Sequence, residues 1–208
     1  RGVYSVPMAE YAVAGVLQLY KKQEFFSQNQ KLHKWEKNRN LLELCGKKVC
    51  IIGCGDVGRE CAKRFRAFGC DAIGVNRTLR QIEEFDKIYS LDDITLAVSD
   101  ADVIVVAIAL TEQTKHLIDA EIIAKLKPQA VIVNIARGAV IDTSALIDNI
   151  SNIGGAVLDV FDEEPLDENS QLWDFPNVII TPHNSFVSEM NSERLTRIIL
   201  CNIRLLNM

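Results

Sequence analysis

Val49-Cys50-Ile51-Ile52-Gly53-Cys54-Gly55-Asp56-Val57-Gly58 is the stretch that decides the fold. Four consecutive apolar residues, mostly β-branched, make a strand buried on both faces, which is the pattern of a parallel sheet. The G-x-G-x-x-G run that follows opens a helix continued by Arg59, Cys61, Ala62, Phe65 and Phe68. In a strand, loop, helix setting the three glycines serve different ends. Gly53 permits the tight turn, Gly55 lets a pyrophosphate approach the backbone, and Gly58 lets the helix pack close to the strand. The start of the helix offers free N–H groups and a partial positive charge to phosphates.

The same alternation extends downstream. Short apolar runs recur at Ala72-Ile73-Gly74-Val75, Val103-Ile104-Val105-Val106, Val131-Ile132-Val133, Ala156-Val157-Leu158 and Val178-Ile179-Ile180, with helical stretches expected at 56–69, 119–126 and 143–151. The economical architecture is an α/β doubly wound parallel sheet with helices on both faces. Ser185 to Leu206 is expected to form a closing helix with Met190, Leu195, Ile198, Ile199 and Leu205 on its apolar face. Upstream, Pro7 to Lys22 has a helical apolar pattern (Met8, Ala12, Val13, Val16, Leu17, Leu19, Tyr20). That face suits packing on its own domain and a subunit interface equally well. Residues 21–48, rich in Lys, Gln, Asn and Glu around Trp35, suit an exposed helix end and a connecting loop.

With 208 residues, 48% hydrophobic and 25% charged, the chain has the composition of a globular domain. A net charge of -5 argues against a nucleic-acid partner, since such proteins present a basic face. No apolar run reaches the roughly 18 residues of a membrane span, so a cytoplasmic protein without a membrane partner is expected. The six cysteines contain no C-x-x-C pair, which favours reduced packing residues, and their spacing offers no convergent ligand set for a metal.

Beyond the second strand, where an NAD enzyme usually places an acid for the ribose 2′-hydroxyl, stands Asn76-Arg77-Thr78. Asp71 comes too early to serve. An acid would repel a 2′-phosphate, whereas Asn76 and Thr78 can hydrogen-bond it and Arg77 can pair with it. The cofactor expected is NAD(P), leaning to NADP.

Three further residues each follow a predicted strand, where α/β sheets bind ligands: Arg137 in Val133-Asn134-Ile135-Ala136-Arg137-Gly138, Glu164 in Asp159-Val160-Phe161-Asp162-Glu163-Glu164-Pro165, and His183 in Thr181-Pro182-His183. In this order after the glycine loop they resemble the signature of the D-isomer-specific 2-hydroxyacid dehydrogenases. The resemblance spans nearly the whole chain. It implies hydride transfer between NAD(P)H and a 2-keto or D-2-hydroxy acid: His183 exchanges the proton, as imidazole is suited to do, Glu164 fixes its tautomer, and Arg137 holds the substrate carboxylate or keto oxygen.

The resemblance also implies that Asp159 meets the nicotinamide carboxamide, that Asp56 and Val57 lie at the pyrophosphate, and that Ile135 and Ala136 line the cofactor cleft. The segment Ala109-Leu110-Thr111 departs from the family's pattern, Ala109 standing where proline is usual, which would loosen a turn beside the cofactor. The implied organisation is a connecting helix over 1–36, a dinucleotide-binding Rossmann domain over 37–184, and a helix over 185–208 returning toward a substrate domain. Roughly 100 residues of that domain, an ordinary domain size, would precede this stretch. A homodimer is the implied assembly. A cofactor-sensing protein like the corepressors that resemble this family is the alternative in another class.

Overall fold

The computed structural model describes residues 2–206; Arg1 and residues 207–208, which the expected flanking segments include, and the Leu205 side chain lie outside what it describes. In chain order the elements are α1 (Ser5–Tyr20), α2 (Gln23–Lys31), β1 (Lys48–Ile52), α3 (Asp56–Ala67), β2 (Asp71–Val75), β3 (Lys87–Tyr89), α4 (Ile94–Ser99), β4 (Val103–Val106), α5 (Ala120–Ile123), β5 (Val131–Asn134), α6 (Thr143–Asn149), β6 (Gly155–Leu158), β7 (Val178–Ile180) and α7 (Asn191–Leu206). The seven strands form one parallel sheet in the order β3-β2-β1-β4-β5-β6-β7. The expected doubly wound α/β fold is therefore the fold observed.

β1, β4, β5 and β6 are buried along nearly their whole length, and two apolar layers enclose them. One layer gathers Ile104, Ile118, Ile132, Leu146 and Leu172; the other gathers Val16, Ile51, Phe65, Val105 and Val133. Two short helices begin on aspartates whose side chains accept from backbone N–H groups, Asp119 from Ile122 at 2.9 Å and Asp142 from Ala145 at 3.1 Å. The stretches expected at 119–126 and 143–151 are shorter helices, the second continued by a 3-10 turn over Ile150–Asn152.

α1 packs on its own domain. Ala9, Ala12, Val13, Val16 and Tyr20 are buried against α3, β5 and β6. A β-carbon on Gly15 would lie 2.5 Å from a methyl of Val157, so the absence of a side chain brings the helix down onto β6. The expected connecting helix over 1–36 is thus two helices, with the left-handed Lys22 (φ 51°) at the corner between them. Trp35, in the loop that follows, is 97% exposed.

Cys50, Cys54, Cys61 and Cys70 are buried as expected of packing residues, but Cys45 and Cys201 are exposed. On α7, Leu195, Ile199, Leu200 and Ile203 are about half exposed. No helix among the described residues is long and apolar enough to cross a membrane.

Candidate active site

The strand order reverses direction at β1, which pairs with β2 on one side and β4 on the other. The crevice outside the carboxyl ends at such a reversal is where α/β sheets bind ligands. Gly53 turns there with φ 104°, and a β-carbon on it would lie 2.5 Å from the carbonyl oxygen of Ala107 just beyond β4. At Gly58 a β-carbon would lie 1.9 Å from the Gly53 carbonyl oxygen, so α3 can start this close to the loop only with glycine.

Gly55 is different: a β-carbon there would meet nothing within 4 Å. It is the N-cap of α3, has no side chain to satisfy the first turn, and faces open space. The free N–H groups of that turn, at Asp56 and Val57, suit a pyrophosphate, and the cradle at Gly55 leaves room for one. Val57, Ile135, Ala136 and Arg137 come together with Met8 and the Ala107–Leu110 segment around a cleft of about 390 Å³. No motif marks Met8 in the sequence; α1 brings it there. The turn at Ala109 is tied by Thr114, whose hydroxyl donates to the Ala109 carbonyl at 2.8 Å and accepts from the Thr111 N–H at 2.8 Å. The lost proline is offset by that buried side chain.

β2 ends at Val75, and Asn76 is anchored by its N–H on the Tyr89 carbonyl and by its amide on the Thr78 carbonyl, both at 3.0 Å. Arg77 and Thr78 are exposed, and Asp71 lies at the far end of the strand. No acid occupies the position after β2.

Arg137 follows β5, and two residues set its loop. The buried Asn134 side chain accepts from the Ala136 N–H at 3.1 Å and donates to the Arg137 carbonyl at 3.0 Å. Gly138 lies directly on Phe161, which a side chain would forbid. This contact brings the Arg137 loop against the loop after β6, where Glu164 sits.

His183 Nδ1 stands 2.8 Å from Glu164 Oε2, and Glu164 Oε1 accepts from the Phe161 N–H at 3.1 Å. Both side chains remain partly open, 40% and 37% exposed. Partial burial pushes the Glu164 carboxyl up, but the hydrogen bonds from His183 and the Phe161 N–H, with the charges of His183 and Arg137, outweigh it and hold it below the usual glutamate range. A mostly apolar hollow of about 580 Å³, walled by Phe161, Leu166, Trp173 and Ile180, lies beside the pair. The expected trio is therefore assembled, with Arg137 near enough to Glu164 to act on its charge.

Asp159 follows β6. It is fully buried and its carboxylate is taken up by the protein: Oδ1 accepts from Thr181 Oγ1 at 2.5 Å and from the Asn184 N–H at 2.7 Å, and Oδ2 from the Ser185 N–H at 2.9 Å. The sequence contained no signal for its partners Thr181 and Tyr11, whose hydroxyls meet at 2.7 Å. His33 and His116 are exposed. Among the described residues, no group of three His, Cys, Asp or Glu gathers as metal ligands do.

The geometry agrees with comparisons to known proteins. Residues 13–185 match the family described as D-isomer specific 2-hydroxyacid dehydrogenase, NAD binding domain. D-3-phosphoglycerate dehydrogenase of Synechocystis is 38% identical over 183 residues, covering 86% of this chain and 33% of the relative. A solved D-isomer specific 2-hydroxyacid dehydrogenase family protein from Aeromonas salmonicida superposes with a TM-score of 0.90 at 33% identity, covering all of this chain and 67% of that one. NADPH-dependent glyoxylate/hydroxypyruvate reductase of Sinorhizobium meliloti, solved with NADP and sulfate, gives 0.82 at 28% identity, covering 93% and 63%. The chain spans between 30% and 53% of the length of the first curated relatives it matches. The chain belongs to the D-isomer-specific 2-hydroxyacid dehydrogenase family and corresponds to its NAD-binding domain.

Proposed function

We propose that this chain is the cofactor-binding part of an oxidoreductase that interconverts a 2-keto acid and a D-2-hydroxy acid with NAD(P)H. The observation that carries the reading is the His183 Nδ1 to Glu164 Oε2 contact of 2.8 Å, placed at the carboxyl ends of the strands beside a dinucleotide cradle. When bound, the nicotinamide supplies or receives the hydride. Glu164 accepts from Nδ1 and thereby leaves Nε2 of His183 as the nitrogen that gives the ketone oxygen its proton in reduction and takes it back in oxidation. Arg137 offers a planar fork of donors to the substrate carboxylate. Its charge, like the Glu164 carboxylate, is set in place before substrate arrives, so little reorganisation is left for the reaction step.

Asn76, Arg77 and Thr78 support a preference for NADP: an anchored amide, a hydroxyl and a guanidinium at an exposed turn suit a 2′-phosphate, and the turn carries no acid to repel one. The substrate is a small 2-keto acid; a cytoplasmic homodimer completes the proposal on the strength of family membership. The test is turnover by the full-length protein of glyoxylate, hydroxypyruvate and longer 2-keto acids with NADPH and NADH. Reduction that His183→Asn lowers by about 10²–10⁴-fold supports the reading. Cofactor binding without turnover of any 2-keto acid would replace it with a cofactor-responsive binding protein.

A further inference from the structure

His183 sits in a left-handed conformation, φ 51°, which for a non-glycine residue needs support from its surroundings. The Thr181 carbonyl accepts from the His183 N–H at 3.0 Å, and the rest of the main-chain support comes from one residue. The Asp159 main-chain carbonyl accepts from the His183 N–H at 2.8 Å, and its side chain accepts from the next two N–H groups, those of Asn184 and Ser185, at 2.7 and 2.9 Å. Three successive amides of the histidine loop thus converge on a single aspartate at the end of β6, where no water reaches it.

The side-chain oxygen Oδ1 has a further partner, Thr181 Oγ1 at 2.5 Å. A threonine hydroxyl has one proton, and here it goes to the carboxylate. The 2.7 Å contact between Thr181 Oγ1 and the Tyr11 hydroxyl is therefore a bond that Tyr11 donates. Burial, less the effect of the Thr181 bond and reinforced by the Asp159 charge, pushes the Tyr11 phenol up to about 12, so it keeps its proton at any working pH. The order of donation is fixed: Tyr11 to Thr181, Thr181 to Asp159.

We infer that Asp159, Thr181 and Tyr11 are positioning residues that hold the His183 loop, and through it the imidazole, in register with Glu164. The inference rests on the proposed dehydrogenase reading for its kinetic consequence, but not for its structural one. It gives Asp159 a structural role in addition to any contact with cofactor, and it gives α1, which precedes the sheet in the chain, a part in setting the proton donor. Because chained hydrogen bonds to a buried charge strengthen one another, loss of the outermost hydroxyl is felt at the loop.

The test compares Asp159→Asn, Tyr11→Phe, Thr181→Val and Thr181→Ser in the full-length protein, reading kcat, KM for the 2-keto acid, NADPH affinity and the NMR resonances of the His183 imidazole. In Asp159→Asn an amide replaces one acceptor facing the loop N–H groups; kcat should fall by about 10²-fold, as displacement of a reacting group by about 1 Å does, with KM little changed. Tyr11→Phe and Thr181→Val should lower kcat by about 5-fold, the worth of one hydrogen bond, and Thr181→Ser should restore it. The imidazole resonances should move in all but the serine variant. A fall in NADPH affinity with kcat retained would make Asp159 a cofactor contact and overturn the inference. Unmoved imidazole resonances in Tyr11→Phe and Thr181→Val would overturn it too, and these two variants carry the test if Asp159→Asn does not fold. If the wild type turns over no 2-keto acid, the functional reading fails while the resonances still decide the positioning.

Discussion

Gly138 rests on Phe161 so closely that a β-carbon on the glycine would stand 1.9 Å from the phenylalanine carbonyl carbon. The obstacle is backbone, which cannot swing aside as a side-chain tip can. Gly138→Ala must push the loop after β5 away from the loop after β6, separating Arg137 from Glu164. Overpacking of this kind costs about 1–3 kcal/mol. The melting temperature should fall by several degrees, and kcat should fall further than that loss of stability alone explains. Calorimetry and steady-state kinetics on the same preparation check both.

Glu164 is held below the ordinary glutamate value of 4.5. A carboxyl depressed in the folded state stabilises the protein at pH above its unfolded value, and that contribution is lost as pH falls through the folded value. Wild type should therefore melt above Glu164→Gln by a constant margin at neutral pH, and the two curves should converge as pH drops below about 4.5. The margin is small because the pair is over a third exposed and screened by solvent. A margin that persists unchanged into strong acid would mean that the ion pair is not its source.

Arg77 stands exposed on the turn after β2 with no acid beside it in sequence. Arg77→Ala should weaken NADPH binding by roughly 10–100-fold, the worth of a charge-assisted hydrogen bond, and leave NADH binding nearly unchanged. Fluorescence titration with both cofactors measures the difference. Equal losses for the two would place Arg77 against the adenine or ribose that they share.

Val16 is fully buried on α1, whereas Ala14 on the same helix faces solvent. Val16→Asp puts an unpaired carboxylate between α1 and the sheet at a cost of several kcal/mol, enough to deprive a domain of much of its stability. Ala14→Asp should be nearly neutral. Comparing soluble yield and melting of the two separates loss of packing from loss of helix propensity, since the same residue enters the same helix.

The sheet was legible because its central strands are buried on both faces and therefore almost wholly apolar. What escaped was peripheral or short. β3 is a three-residue edge strand that opens with Lys87, whose ammonium lies 4.2 Å over the Tyr89 ring, so it lacks the apolar run of an inner strand. α4 spans six residues, too few to establish a helical period, and α2 carries only one buried residue, Asn29. In the site, Arg137, Glu164 and His183 were readable because each follows a strand end. Asn134 and Thr181 stand at strand ends too, but as supports that no charge or motif marks. Tyr11 was unreadable for a different reason: it meets Thr181 across 170 positions of sequence, and no local pattern encodes such a pairing. The same absence of tertiary information left Asp159 assigned by resemblance alone, without sight of the three amides that enclose it.

The contact between Gly15 and Val157 has a consequence for biosynthesis. α1 leaves the ribosome well ahead of the strand it lies on, which is made about 140 residues later, a delay of roughly 10–30 s at ordinary elongation rates. During that interval the helix lacks part of the sheet that buries Ala12, Val13 and Val16, and the growing chain is exposed to chaperones and to misassociation with its neighbours on the same message. Completion of β6 is therefore the event that gives α1 its seat, before β7 completes the sheet.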